Sequence, residues 1–296
     1  MNSHPLLHRL SVSLAACTLI LLIAGALIAG AGSPLGQSAG HSEWLRLHNV
    51  AAGAVGGLAL VTLAVLFRSD APKWLKIIGL ACLAAAGAAA LLGLLPRGPA
   101  TGIAHAVVSQ VLFALVVLLS LGTSPAWNRD AAPLEDRGRP SLRSLAWLTP
   151  AAVLLQIALG AAYRYQACSA IPHVSWAFPV TLSILMLAAF TLTAAGGDEH
   201  ADLRKGSIAL MTLVFVQLIL GVTAFLARMD PPLSFLQGDS MAAIRATHLG
   251  MGALVFGFTV ALSAQILRCA VSAVGEAPHS TGNLTDETWN GNGRRG

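Results

Sequence analysis

The sequence predicts an all-α polytopic membrane protein, with eight transmembrane helices forming two pseudo-repeated four-helix bundles and both termini in the cytoplasm. Three observations predict it. Charged residues make up 10% of the 296-residue chain and hydrophobic ones 55%, whereas soluble domains are about a quarter charged. The apolar residues gather into runs of about 20, the length needed to cross a hydrocarbon core of about 30 Å. When the runs are threaded alternately across a bilayer, 13 of the 18 Lys and Arg fall on one side.

In chain order the runs are Leu10–Gly30, Trp44–Phe67, Trp74–Leu95, Thr101–Gly122, Leu145–Tyr163, Val174–Ala195, Ser207–Ala227 and Ala243–Leu267. The first is long for a signal-peptide core and no signal-peptidase site follows it, so it is expected to remain as a helix. Arg9, Arg68, Lys73, Lys76, Arg129, Arg137, Arg139, Arg143, Arg204, Lys205, Arg268, Arg294 and Arg295 make up the basic side, which sets it in the cytoplasm. Arg46, Arg97, Arg164, Arg228 and Arg245 remain for the outer ends. The net charge of +5 thus follows from topology and calls for no nucleic-acid partner. Of the four cysteines only Cys168 falls in an outer loop, where it has no partner, so no intramolecular disulfide is expected.

A polar segment rich in Pro, Arg, Asp and Glu divides the chain. The expected organisation is an N-terminal half, residues 1–123, a cytoplasmic linker, 124–144, a C-terminal half, 145–272, and a disordered tail, 273–296. Internal similarity supports a duplication. The fifth helix ends Gln156-Ile-Ala-Leu-Gly160 with Arg164 beyond, and the seventh Gln217-Leu-Ile-Leu-Gly221 with Arg228 beyond. The third carries Gly93 and Arg97 at the fifth helix's glycine-to-arginine interval, and in the first Gly25 aligns.

The even helices share a different mark. His48, His105, His173 and His248 each stand near the start of an even run. An ionisable side chain at membrane depth defaults to a functional reading. Within each half the two histidine helices are parallel, so both imidazoles reach one depth and could ligate one haem iron from opposite sides. The structural alternative is four interfacial histidines bonded to water or carbonyls. Gly53, Gly56 and Gly57 follow His48, and Gly250, Gly252 and Gly257 follow His248; they suit either a close porphyrin or ordinary helix packing. The outer arginines suit either haem propionates or lipid headgroups. Gln156 and Gln217 suit helix–helix hydrogen bonds or contact with a haem edge. Glu43, five residues before His48, suits acid–base work beside a substrate or an ion pair with Arg46. Asp230 and Asp239 read as turn and cap residues, and His4, His8, His41, His200 and His279 as lying outside the membrane.

Eight helices in two halves, one histidine opening each even helix and the fifth helix's QxxLGxxxR resemble the haem A synthase family of cytochrome oxidase assembly proteins. Glu43-Trp44 before His48, Ala-His105-Ala-Val-Val-Ser-Gln and Thr-His248-Leu-Gly-Met-Gly-Ala are similar to that family as well. The resemblance spans Leu10 to Leu267. It departs from the family's usual pattern in the wider Glu43–His48 spacing, in Asn49 after His48, and in the absence of a cysteine pair from the first outer loop. It implies oxidation of a methyl group of haem O to a formyl group, giving haem A. It also implies haem b between His173 and His248, with Arg164, Arg228 and Arg245 beside it. Substrate haem O would lie between His48 and His105, with Glu43 catalytic. The further expectations are multi-pass residence in the inner (plasma) membrane, a quinol as electron donor, and haem O synthase and cytochrome oxidase subunits as partners. The non-catalytic alternative is a haem-binding electron carrier or assembly factor; a cofactor-free transporter is the third reading.

Overall fold

The structure is a computed structural model, and it describes residues 5–30, 39–96, 98–129, 131–136, 138–226 and 239–272. Arg97, Arg228, Asp230 and the tail from Ala273, all assigned roles above, lie outside the described residues.

Eight helices among these residues are long and apolar enough to cross a membrane. They are α1 (Pro5–Gly30), α2 (Ala39–Arg68), α3 (Lys73–Leu94), α4 (Pro99–Gly122), α5 (Leu142–Arg164), α6 (Ala170–Ala194), α7 (Ala201–Leu226) and α8 (Asp239–Cys269). In hydrocarbon the backbone must satisfy its own polar groups, and the helix does so within a single segment. Hydroxyl side chains follow the same rule. Thr18 donates to the Leu14 carbonyl, Thr191 to Leu187 and Thr259 to Val255, each at 2.7 Å. Large apolar side chains point outward, with Phe178 75% and Leu94 83% exposed, an arrangement that suits lipid and not water.

Each half closes into a ring of four. α1 packs on α2, α2 on α3, α3 on α4 and α4 back on α1; α5 to α8 repeat that order. Leu7, Leu14, Val55, Leu66, Leu112 and Leu119 fill the first ring, and Leu145, Ile184, Leu187, Leu210, Leu262 and Ile266 the second. α8 packs against α1 and α4, and a smaller cluster of Leu22, Phe113 and Ala253 joins the halves there.

The segment 124–144, expected to be a polar connector, is more ordered than its composition suggests. Leu134–Asp136 (β1) pairs in parallel with Ala270–Ser272 (β2), a short two-stranded ribbon that an all-α reading does not contain. Leu134 is fully buried in the core of the second ring. Both Asp136 oxygens accept from the start of α5, at 2.8 Å from Leu142 N and 3.1 Å from Arg143 N, satisfying amides that a helix start leaves open. Trp127 packs on Trp74 of α3 with ring centres 5.4 Å apart, and the Arg268 guanidinium of α8 covers its ring at 4.8 Å. One apolar side chain and a few aromatic and charged contacts, too few to form a run, therefore fix this segment.

Candidate functional site

All four membrane-depth histidines lie at the bundle end opposite residues 124–144. Each ring rests on a glycine of the preceding helix: His48 on Gly25, His105 on Gly93, His173 on Gly160 and His248 on Gly221. A β-carbon built on these glycines would lie 3.2, 3.4, 2.9 and 3.2 Å from the respective Cε1. The absence of a side chain lets each imidazole lie flush with its neighbouring helix. The glycines aligned between odd helices in the sequence are these four.

The second part of each seat is a carbonyl one turn before the glycine. His48 Nδ1 lies 3.3 Å from the Leu21 carbonyl, His105 Nδ1 2.9 Å from Ala89 and His173 Nδ1 3.2 Å from Gln156. A carbonyl only accepts, so Nδ1 carries the proton in these three rings, and in the neutral imidazole Nε2 keeps its lone pair. The fourth seat differs. The buried Nδ1 of His248 makes no hydrogen bond of normal length and angle, although the Gln217 backbone at the corresponding position interacts with the ring, and the Gln217 amide nitrogen lies 3.3 Å from Nε2.

The rings meet across their bundles. His48 and His105 have centres 6.5 Å apart at an interplanar angle of 52°; His173 and His248 also stand 6.5 Å apart, at 86°. Their helices, α2 with α4 and α6 with α8, face one another across each ring of four. Two imidazoles joined through one ion, with ligand bonds of about 2 Å and about 1.1 Å from nitrogen to ring centre, would have centres about 6.2 Å apart. The 6.5 Å between ring centres is close to that spacing in both pairs, while in the second the Gln217 amide nitrogen stands at His248 Nε2. No group of three His, Cys, Asp or Glu side chains able to hold a metal occurs among the described residues. A porphyrin iron needs only two protein ligands, since the macrocycle supplies the others.

The two sites differ in polarity. In the second, Gln156 donates to the His173 carbonyl at 3.1 Å, the helix–helix bond expected of it. The buried Oε1 atoms of Gln156 and Gln217 have no partner, and a bound group with a donor would satisfy them. In the first, Leu21 and Ala89 stand at the corresponding seat positions and bring no polar side chain.

The other expected residues are distributed unevenly. Glu43 and Arg46 lie inside α2, not in a loop; both are exposed and no ion pair joins them. Arg245 is exposed one turn before His248 on α8. Arg164, assigned with the second pair, reaches into the first half, where its Nη2 donates to the Ala26 carbonyl at 3.3 Å and approaches that of Gly25 at 3.5 Å. Gly53, Gly56 and Gly57 have open space beside them, with no side chain within 4 Å of a β-carbon built there. Gly250 accommodates Ile23 of α1, and Gly257 accommodates Phe113 and Val117 of α4, both ordinary helix packing; Gly252 makes room for the Gln217 amide. His8 belongs to α1, its Nδ1 3.2 Å from the Ser120 carbonyl, and His200 is buried at the start of α7. All four cysteines are free thiols. Two residues absent from the sequence reading, Tyr165 and Gly102, pack directly on each other beside this end of the bundle.

Comparison of the chain with protein-family models, curated proteins and solved structures yields no match.

Proposed function

We propose that the protein is a haem A synthase-like oxidoreductase of the plasma membrane, which converts the methyl group of haem O to a formyl group and so provides haem A for cytochrome oxidase assembly. One observation carries the reading: two imidazole pairs, each at 6.5 Å, in which every ring is held by a neighbouring helix. Haem b bound between His173 and His248 would supply one-electron transfer. The duplicated halves, cytoplasmic termini, quinol donor and partnership with haem O synthase and oxidase subunits belong to the same proposal.

The chain's own residues divide the work. The backbone carbonyls of Leu21, Ala89 and Gln156 fix ring orientation and tautomer, which leaves each Nε2 free to bind a metal. His48 and His105 would hold substrate haem O in the first half. Oxygen chemistry at a haem held by both imidazoles would require one of the two to be displaced. His48 has the longer Nδ1 contact, 3.3 Å against 2.9 Å for His105.

A specific observation favours the second reading, a non-catalytic haem-binding electron carrier or assembly factor. α2 is helical from Ala39, and five residues of helix rotate Glu43 by about 140° from His48. The carboxylate therefore lies on another face of α2 than the ring pair. Haem extraction and chromatography from cells making haem O, with and without this protein, separates the readings. A new haem A peak, or that of its hydroxylated precursor, supports the oxidoreductase. Bound haem b with haem O unchanged supports the carrier or assembly factor.

A further inference from the structure

α5 ends in a way that projects two side chains out of its own half. Ala167 N donates to the Ala162 carbonyl at 2.8 Å and Gln166 N to Tyr163 at 3.1 Å, while Gln166 takes a left-handed φ of 59°. This is the Schellman arrangement, with glutamine where glycine is usual. It fixes the direction of Tyr165, the last residue before the reversal. The Tyr165 ring occupies the space beside Gly102, where any β-carbon would overlap it. Gly102 stands one turn before His105 on α4. Arg164 bonds the α1 carbonyls of Gly25 and Ala26, and Gly25 is the seat of His48. Its guanidinium also lies 5.9 Å from the centre of the Tyr165 ring.

We propose that the end of α5 is a positioning device for the His48–His105 pair: Tyr165 on Gly102 and Arg164 on the α1 carbonyls hold, from the opposite half, the two helices that carry and seat these imidazoles. The same helix seats His173 through Gln156 and Gly160. Gln156, Gly160 and Arg164 follow at intervals of four along one face. A single rod thus grips a ring of the second pair and, one turn later, the frame of the first. Displacement at either pair has a short mechanical route to the other. Tyr165 and Arg164 are positioning residues, acting on the imidazoles through α4 and α1.

The proposal rests on the haem reading above for its spectroscopic test, and a second measurement does not need it. In His173→Ala/His248→Ala protein only the first pair can take haem b. There, Tyr165→Ala is expected to bind haem about tenfold more weakly and lose low-spin signal, while Tyr165→Phe stays within about twofold. In His48→Ala/His105→Ala protein the low-spin spectrum of the second pair is expected to be unchanged by Tyr165→Ala. Equal damage to both pairs, no damage to the first, or a Tyr165→Phe loss as large as that of alanine would overturn the proposal. Failure of the first background to take up any haem would count against the haem reading of that pair. The haem-free measurement then decides: nitroxide labels at exposed Asn49 and Ala100, in protein with its cysteines replaced by serine, report the α2–α4 separation. Tyr165→Ala is expected to broaden that distance distribution and Tyr165→Phe to leave it as it was. An unbroadened distribution in Tyr165→Ala overturns the proposal whatever haem does.

Discussion

Gly160 and His173 lie so close that one added methyl group would force the ring to move, since a β-carbon at 160 would stand 2.9 Å from Cε1. The matching gap at Gly93 and His105 is 3.4 Å, an ordinary contact. Gly160→Ala is therefore expected to destabilise the protein by about 1–3 kcal/mol through overpacking and to alter any spectrum of the second pair. Gly93→Ala is expected to stay within about 0.5 kcal/mol. Thermal unfolding in detergent with parallel optical spectra measures both; equal effects at the two positions would contradict the seat geometry.

Removal of a single imidazole tests the pairing. His173→Ala and His248→Ala are each expected to abolish low-spin haem at the second pair and to spare the first. His48→Ala and His105→Ala are expected to do the reverse. Haem content and electron paramagnetic resonance of the four purified variants give the answer. Full haem retention in all four would remove the ligand assignment, and a transporter without cofactor would retain its activity throughout.

Glu43 separates catalysis from carriage. Under the oxidoreductase reading Glu43→Ala keeps bound pigment and loses conversion of haem O, read by chromatography of extracted haem. Its exposed place on α2, turned away from His48, makes this a demanding test. Conversion unchanged from the parent would rule Glu43 out as a required group.

Leu134 measures how far residues 124–144 support the fold. It is fully buried in the core of α5–α8, so Leu134→Ala is expected to cost about 2–5 kcal/mol. A surface connector would lose about 0.5 kcal/mol or less. Chemical denaturation of the detergent-solubilised protein distinguishes the two.

The number and place of the helices were legible because hydrocarbon imposes a length on every crossing. Each α-helix matches its apolar run to within one residue at the C-terminal end or passes it, and begins earlier at the other end, as α7 does in taking up Asp202, Arg204 and Lys205. Histidine register was legible for a related reason: a polar side chain in an apolar run stands out. The glycine seats were half legible, since Gly25, Gly93, Gly160 and Gly221 aligned in sequence while nothing identified what they touched. Facing was the illegible part. Helices that are apolar on every side give no periodicity from which to read a buried face, so the packing of Gly250 on Ile23 and of Gly257 on Phe113 could not be told from a site lining. Tyr165 on Gly102 depends on the packing of α5 against α4, a tertiary relation between residues far apart in the chain. β1 rests on three residues in a charged segment and pairs with three more at the end of α8, a signal too short to separate from loop.

The β1–β2 pairing has a topological consequence. Leu134 and Ala270 are register partners, so the chain enters and leaves the α5–α8 ring at one point. A segment whose ends meet can be cut and rejoined elsewhere without longer connections, the condition under which circular permutation is tolerated. The second bundle is in this sense a closed loop, held to the first along α8, α1 and α4 and, at the far end, through the Arg164 and Tyr165 contacts.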